Sequence, residues 1–168
     1  MGKFTVTHEI NCDEETFWKV FFDKPFNEEL FLKSLGFPRY RIVDQRETDT
    51  ETIRKIEGQP KMNMPGPIVK LLGDGFSYTE EGRLNKATKV WTWKMTPSTL
   101  AEKIKNEGTM RVEKVGDSKV RRVTEIFIAA KIFAVGGLME SSTEKQMREG
   151  WDASARFMNK WIADGKAA

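Results

Sequence analysis

The run Leu138–Ile162, LMESSTEKQMREGWDASARFMNKWI, decides how this chain folds. Met147, Trp151, Ala155, Met158 and Ile162 recur at spacings of three and four, with Ser154 and Trp161 beside them, while Glu149, Asp152, Arg156 and Lys160 take the other face. That is the period of an amphipathic helix. Its start has two readings: Gly136-Gly137 ahead of the first turn, or the capping-box pattern Ser141-Ser142-Thr143-Glu144, with a kink between them. It is the only long helix in the sequence, and it follows a stretch from Arg39 to Lys131 that alternates like antiparallel strands. A curved sheet closed by one terminal helix tends to enclose a cavity.

The N-terminal end sets the rest of the topology. Phe4, Val6, His8 and Ile10 alternate with polar residues, which predicts a strand with one buried face. Asn11 and Asp13 are helix caps, and Glu14-Glu15 suits a helix N-terminus, so Glu14 to Phe22 is predicted helical with Phe17, Trp18, Phe21 and Phe22 inward. Pro25 opens a second short helix that buries Leu30, Phe31 and Leu35 and stops at Gly36 and Pro38. Strands are then expected at Arg39–Glu47, Thr52–Glu57, Phe76–Leu84, Lys89–Thr96, Thr109–Val115 and Lys119–Phe133, with Gly116-Asp117 the clearest hairpin turn. Two breaks interrupt them: Gln59 to Gly75, long for a hairpin loop, and the polar excursion Pro97 to Lys105. The fold class is α+β, with about seven strands in one domain spanning 1–168.

Composition excludes several functions. The net charge of +3 comes from 28 basic and 25 acidic residues that are finely mixed, and strand alternation puts Arg121 and Arg122 on opposite faces, so no nucleic-acid surface is expected. A single cysteine, Cys12, rules out an intrachain disulfide and a cysteine-based metal site, and no metal or other cofactor is expected. No apolar run approaches the length of a membrane span, and the N-terminus lacks the features of a leader, so a cytoplasmic location is expected. No nucleophile elbow, Walker loop or metal cluster is present, and no catalytic residue is assigned. Gly73-Asp74-Gly75 reads as a turn.

The order strand, two short helices, six strands and a long helix resembles the START-like (SRPBCC, helix-grip) superfamily, and Ile10-Asn11-Cys12-Asp13-Glu14-Glu15-Thr16-Phe17-Trp18 resembles its strand-to-helix opening. More narrowly, the chain is similar to an uncharacterised bacterial START-like family, distantly similar to the lipid-binding VASt domains. Met64-Pro65-Gly66-Pro67, Leu72-Gly73-Asp74-Gly75-Phe76, Trp91-Thr92-Trp93, Glu107-Gly108-Thr109, Gly136-Gly137-Leu138 and Gly150-Trp151 carry that likeness. The resemblance implies a cavity between the concave sheet face and the last helix. The superfamily spans lipid carriers, receptors and cyclases, so fold alone does not choose among them.

Candidate ligand-binding residues follow from that implied cavity. Trp91, Trp93 and Met95 share one strand face, Met110 and Val112 alternate on the next strand, and Met147, Trp151 and Met158 face them from the helix. The same pattern suits a filled core. Met62, Met64, Ile68, Leu71 and Leu72, with Lys61 and Lys70 nearby, make the Gln59–Gly75 break a candidate gate or membrane contact. A short helix from Ile68 to Leu72 packed on the sheet is the plainer reading. His8, Arg111 and Glu125 are polar cavity candidates. The leading expectation is a non-enzymatic carrier or sensor whose partner is a hydrophobic small molecule or lipid, with transient contact to a membrane surface. Two alternatives stand beside it: a cyclase or aromatase using His8, Glu125 or Tyr78, and an interaction module filled by Trp91, Trp93 and Trp151.

Overall fold

The computed structural model describes residues 2–167. Strand β1, Gly2–Ile10, leads to helix α1, Glu14–Phe21, whose N-terminus is capped by the Asp13 carboxylate accepting from the Thr16 amide at 2.8 Å. Helix α2, Lys24–Glu28, is capped in the same way by Asp23 and passes directly into a π-helical turn, Glu29–Ser34. Strands β2, Arg39–Glu47, and β3, Glu51–Gln59, form a hairpin. After α3, Gly66–Leu72, come β4, Tyr78–Asn85; β5, Val90–Pro97; β6, Ile104–Gly116; and β7, Lys119–Ala130. Helix α4, Gly136–Ala163, completes the chain. The seven strands form one antiparallel sheet in the order β1-β7-β6-β5-β4-β3-β2. Because β1 and β2 sit on opposite edges, α1, α2 and the π-helical turn must cross the concave face between them. This is the α+β helix-grip arrangement.

Register defines that inner face as rows running across the strands. One row is Ile56, Glu80, Met95, Asn106 and Ile128; the next is Arg54, Gly82, Trp93, Gly108, Ile126 and Phe4; a third is Thr52, Leu84, Trp91, Met110, Thr124 and Val6. Two glycines make room for the indoles. A Cβ on Gly82 would lie 1.9 Å from the Trp91 ring, and one on Gly108 would lie 2.4 Å from the Trp93 ring and 2.3 Å from the Glu125 carbonyl. Both tryptophans therefore lie down against the sheet.

Several expected boundaries shift. Strand β6 begins at Ile104, well before Thr109, which shortens the Pro97–Lys105 excursion to a turn, and β7 ends at Ala130, not Phe133. Helix α4 starts at Gly136 and runs without a break; the Ser141 hydroxyl donates back to the Leu138 carbonyl at 3.1 Å, so the capping-box residues lie inside the helix. Gly136 is needed there, since a Cβ would come within 2.3 Å of the Ala130 carbonyl oxygen.

Apolar burial divides into two clusters. The larger joins β1, β5, β6 and β7 to α1, α2 and α4 and holds Ile10, Phe17, Phe26, Trp91, Met110, Ile126 and Met158. The smaller holds Ile68, Leu72, Ala130 and Met139, with Met62, Met64, Phe76, Leu100, Ile104, Ile132 and Val135 packed around them. Helix α4 packs chiefly on β1 and β7, so it grips one edge of the sheet. Among the described residues no helix is long and apolar enough to cross a membrane.

Candidate functional site

The expected cavity residues separate into groups with different surroundings. At the α1 end, Trp91 is enclosed: Phe21 and Phe22 meet it edge-on at 5.1 and 5.6 Å, and the Arg54 guanidinium sits 5.2 Å from its ring centroid. Arg54 also lies 4.4 Å over Phe21 and donates to the Phe21 carbonyl at 2.7 Å, where a cation meets the C-terminal end of α1. Burial lowers its pKa, against the opposing pull of Tyr40 and Glu80. Trp91 thus packs under α1, while Trp93 faces α4 through Trp151 at 5.8 Å, and Met110 and Met158 are buried in the same cluster. These residues fill the space between the sheet and helices α1 and α4 with side chains.

The middle of the inner face is different. Met95 is only partly buried and belongs to neither apolar cluster. Its register neighbours are Glu80 and Asn106. Asn106 is 8% exposed; its amide nitrogen reaches the Met147 sulfur at 3.2 Å, while its buried oxygen has no partner. Glu80 makes no hydrogen bond or ion pair with any described residue, and burial raises its pKa against the pull of Arg54. Tyr78 and Tyr40 flank it. Burial pushes both phenols up, and the buried Tyr40 hydroxyl has no partner although its ring stacks on Phe31 at 4.1 Å. Tyr78 and Glu80 keep partial surface accessibility even though burial dominates both shifts. Met147, Trp151 and Val112 are partly buried in the same way.

His8 points inward, as its parity predicts, into a network with α4. The Arg122 guanidinium can only donate, so its 3.1 Å contact makes His8 Nδ1 an acceptor, and Nε2–H then donates to Asp152 Oδ1 at 2.5 Å. Arg122 is 2% exposed, donates to the Trp151 carbonyl at 2.9 Å and lies 4.8 Å over the Trp151 ring. Burial lowers its pKa to about 9, so it stays charged at neutral pH. Burial lowers the His8 pKa as well, with the Asp152 hydrogen bond pulling the other way and Arg122 adding to the lowering. With both ring nitrogens engaged, His8 has none to present to a substrate. It clamps α4 to β1 and β7.

Two polar candidates are corrected. Arg111 and Glu125 have the opposite parity from Met110 and Thr124, so they lie on the outer face, with side chains 44% and 42% exposed and 3.9 Å apart. Neither faces the interior. The gate candidates divide: Ile68 and Leu72 are buried on the inner side of α3, Met62 and Met64 are partly buried beside them, and only Leu71 turns outward, at 39% exposure. The residues between Gln59 and Gly75 thus include a packed helix, because Pro67 suits its first turn and Ile68 and Leu72 fall on one face.

Open surface concavities lie elsewhere. One of about 1240 Å³ runs between α1 and the hairpin tips, with Trp18, Phe22, Leu84 and Val120 as floor and a rim of mixed charge. Another, of about 850 Å³, lies on the outer face among Lys55, Glu81, Arg83, Lys94 and Glu107. Their rims are salt-bridged side chains such as Lys86 with Glu47 and Arg83 with Glu51. Among the described residues no three metal-ligating side chains come together.

Glu80, Tyr40, Asn106 and Asp152 were absent from the sequence-based candidates. Glu80 had a legible signal, since it shares parity with Gly82 and Leu84 on β4. Asp152 had none, because on α4 alone it falls on the charged face.

Comparison with solved structures places this geometry. The TTHA0849 protein from Thermus thermophilus is similar over 98% of this chain and 99% of its own, with a TM-score of 0.66 at 17% identity. The Zhui aromatase/cyclase from Streptomyces is similar over 96% and 95%, with a TM-score of 0.66 at 11% identity. A START superfamily protein from Mycobacterium smegmatis is similar over 96% and 97%, with a TM-score of 0.57 at 12% identity. Such identities speak for the fold alone, which is START-like. No curated protein matches in sequence. Residues 5–162 match the profile of the family described as protein of unknown function (DUF2505), and the chain belongs to that family.

Proposed function

We propose that this protein binds one amphipathic small molecule, most simply a lipid, in the space bordered by Tyr78, Glu80, Met95, Asn106 and Met147. The observation that carries the reading is the row Glu80–Met95–Asn106: three inward positions, between two separately packed apolar clusters, in which the Glu80 carboxylate and the Asn106 side-chain oxygen have no partner among the described residues. Unpartnered buried polar groups are costly, and a ligand head group that hydrogen-bonds them offsets that cost. Val112, Met147 and Trp151, which are only partly buried, would take the apolar body, whose transfer from water contributes about 25 cal/mol per Å². The START-like fold supports the same reading.

Mass spectrometry of an organic extract from purified protein, with a liposome extraction assay, tests it. A defined apolar species at near one per chain is expected; no co-purified species and no extraction would overturn the reading. A cyclase-like activity is the second reading, favoured by the Glu80, Tyr78 and Tyr40 set and by the fold shared with the Zhui aromatase/cyclase. His8 is not its proton-transfer group, for the reason given above.

A further inference from the structure

The loop joining β7 to α4 holds an arrangement that packing does not explain. Phe133 is 98% exposed. Its neighbour Ala134 has φ +67, and the Val135 amide donates to the Phe133 carbonyl at 2.9 Å, which closes a three-residue turn of the rare positive-φ kind. A non-glycine residue in that region is strained. Strained backbone here displays an aromatic ring to solvent while Ile132 and Val135 on either side pack into the smaller apolar cluster.

Phe133 does not stand alone. Leu138, 42% exposed, follows on α4, and Leu71, 39% exposed, projects from α3, and both elements pack in that same cluster. Lys131 precedes the turn and is tied to Lys103 by a 2.8 Å backbone hydrogen bond; Lys70 adjoins Leu71, and Lys61 lies where α4's Gln146 holds the preceding loop at 2.9 Å. All four lysines are exposed, and none forms an ion pair with a described residue. Asp74, Glu102 and the partly buried Glu140, whose carboxylate accepts from the Ala130 amide, are the acids nearby in sequence, and against four lysines they leave the balance basic. An exposed apolar tip on segments that also carry unpaired lysines fits a deformable surface bearing negative charge better than the rigid surface of a folded partner.

We propose that this end of the molecule docks on anionic membranes, with Phe133 as the inserted anchor, Leu71 and Leu138 at the interface, and Lys61, Lys70, Lys103 and Lys131 facing the headgroups. The contact differs from that expected of the Met62–Leu72 segment, most of which faces inward. It does not depend on the ligand reading. Membrane binding without a co-purified ligand would leave docking standing alone, and the reverse would leave only the ligand.

Flotation with phosphatidylcholine vesicles, with and without about one-third phosphatidylglycerol, tests the docking. The wild-type chain is expected to float with the anionic vesicles and far less with the neutral ones. Phe133→Ser should lower vesicle affinity by about tenfold or more with an unchanged melting temperature, because the ring touches little in the fold. Lys103→Glu with Lys131→Glu should lower anionic binding further and leave neutral-vesicle binding as it was. Three outcomes would overturn the proposal: no flotation of the wild type, binding untouched by Phe133→Ser, or a concentration-dependent dimer in sedimentation that Phe133→Ser abolishes.

Discussion

The two apolar clusters use the same residue types for different ends. The larger one locks α1, α2 and α4 onto the sheet with interlocking rings: Phe17, Trp18, Phe21, Phe22 and Trp91 form one continuous set of edge and stacked contacts. The smaller one joins α3 and the segments on either side of it to the β5–β6 and β7–α4 connections, the first residue of β6, the last of β7 and the first turn of α4, with no aromatic pair among its members. The first cluster joins more elements and is expected to carry global stability, whereas the second, built mostly from connecting segments, is expected to open first. The internal polar row lies between them. On the proposed function, a ligand would enter past the second cluster, the separable wall, and not past the first, the fixed one.

Matched substitutions test that contrast most severely. Phe17 and Ile68 are both 0% exposed. Phe17→Ala should cost about 3–5 kcal/mol and lower the melting temperature of the whole molecule. Ile68→Ala should cost about 2 kcal/mol or less, because its neighbours can collapse into the gap. Hydrogen exchange should then speed up over 66–72 and the first turns of α4, with β5 and α1 unchanged. Equal global losses in the two variants would break the distinction between walls.

Next in size comes the glycine cradle. Gly82→Ala should destabilise by about 1–3 kcal/mol, since the new methyl meets the Trp91 ring, which Phe21, Phe22 and Arg54 prevent from moving. The opposite end offers the control. Gly66→Ala adds a methyl to open space at the start of α3, where no positive φ opposes a side chain, so its effect should stay within about 1 kcal/mol and be confined to that helix. Chemical denaturation of both variants checks the order.

Strand parity and helical spacing identify which tryptophans and methionines face inward. Trp93, Met110, His8 and Met158 lie inward as alternation and helical spacing require, and the same rule, followed through β6 and β7, turns Arg111 and Glu125 outward. What could not be read was contact between elements. Trp91 and Trp93 are indistinguishable in sequence, yet one packs under α1 and the other against Trp151, because α4 grips only the β1 and β7 edge. Helix α3 was readable only as an alternative, since a seven-residue segment between prolines and glycines carries too few turns to show a period. Phe133 carried no signal either: a lone aromatic at a strand end reads as one more strand residue until the positive-φ turn displays it.

The smallest expected effect concerns the clamp that holds the fixed wall closed. The folded state lowers the His8 pKa below its ordinary 6.5, so the unfolded chain takes up the proton more readily. Stability from neutral His8 is therefore complete above about pH 6.5 and is lost as pH falls through the folded-state value. Protonation puts a hydrogen on Nδ1, directly against the Arg122 donor, while strengthening the bond to Asp152. The two effects oppose each other, which keeps the net loss small. His8→Asn should remove the component of the melting-temperature decline between pH 7 and 5 that belongs to this group and leave the rest in place. Because the clamp fastens α4 to β1 and β7, the acid-sensitive opening should appear in hydrogen exchange around Trp151, and α3 should not respond. If α3 opened first on acidification, the two walls would be coupled through α4, and the smaller cluster could not open on its own.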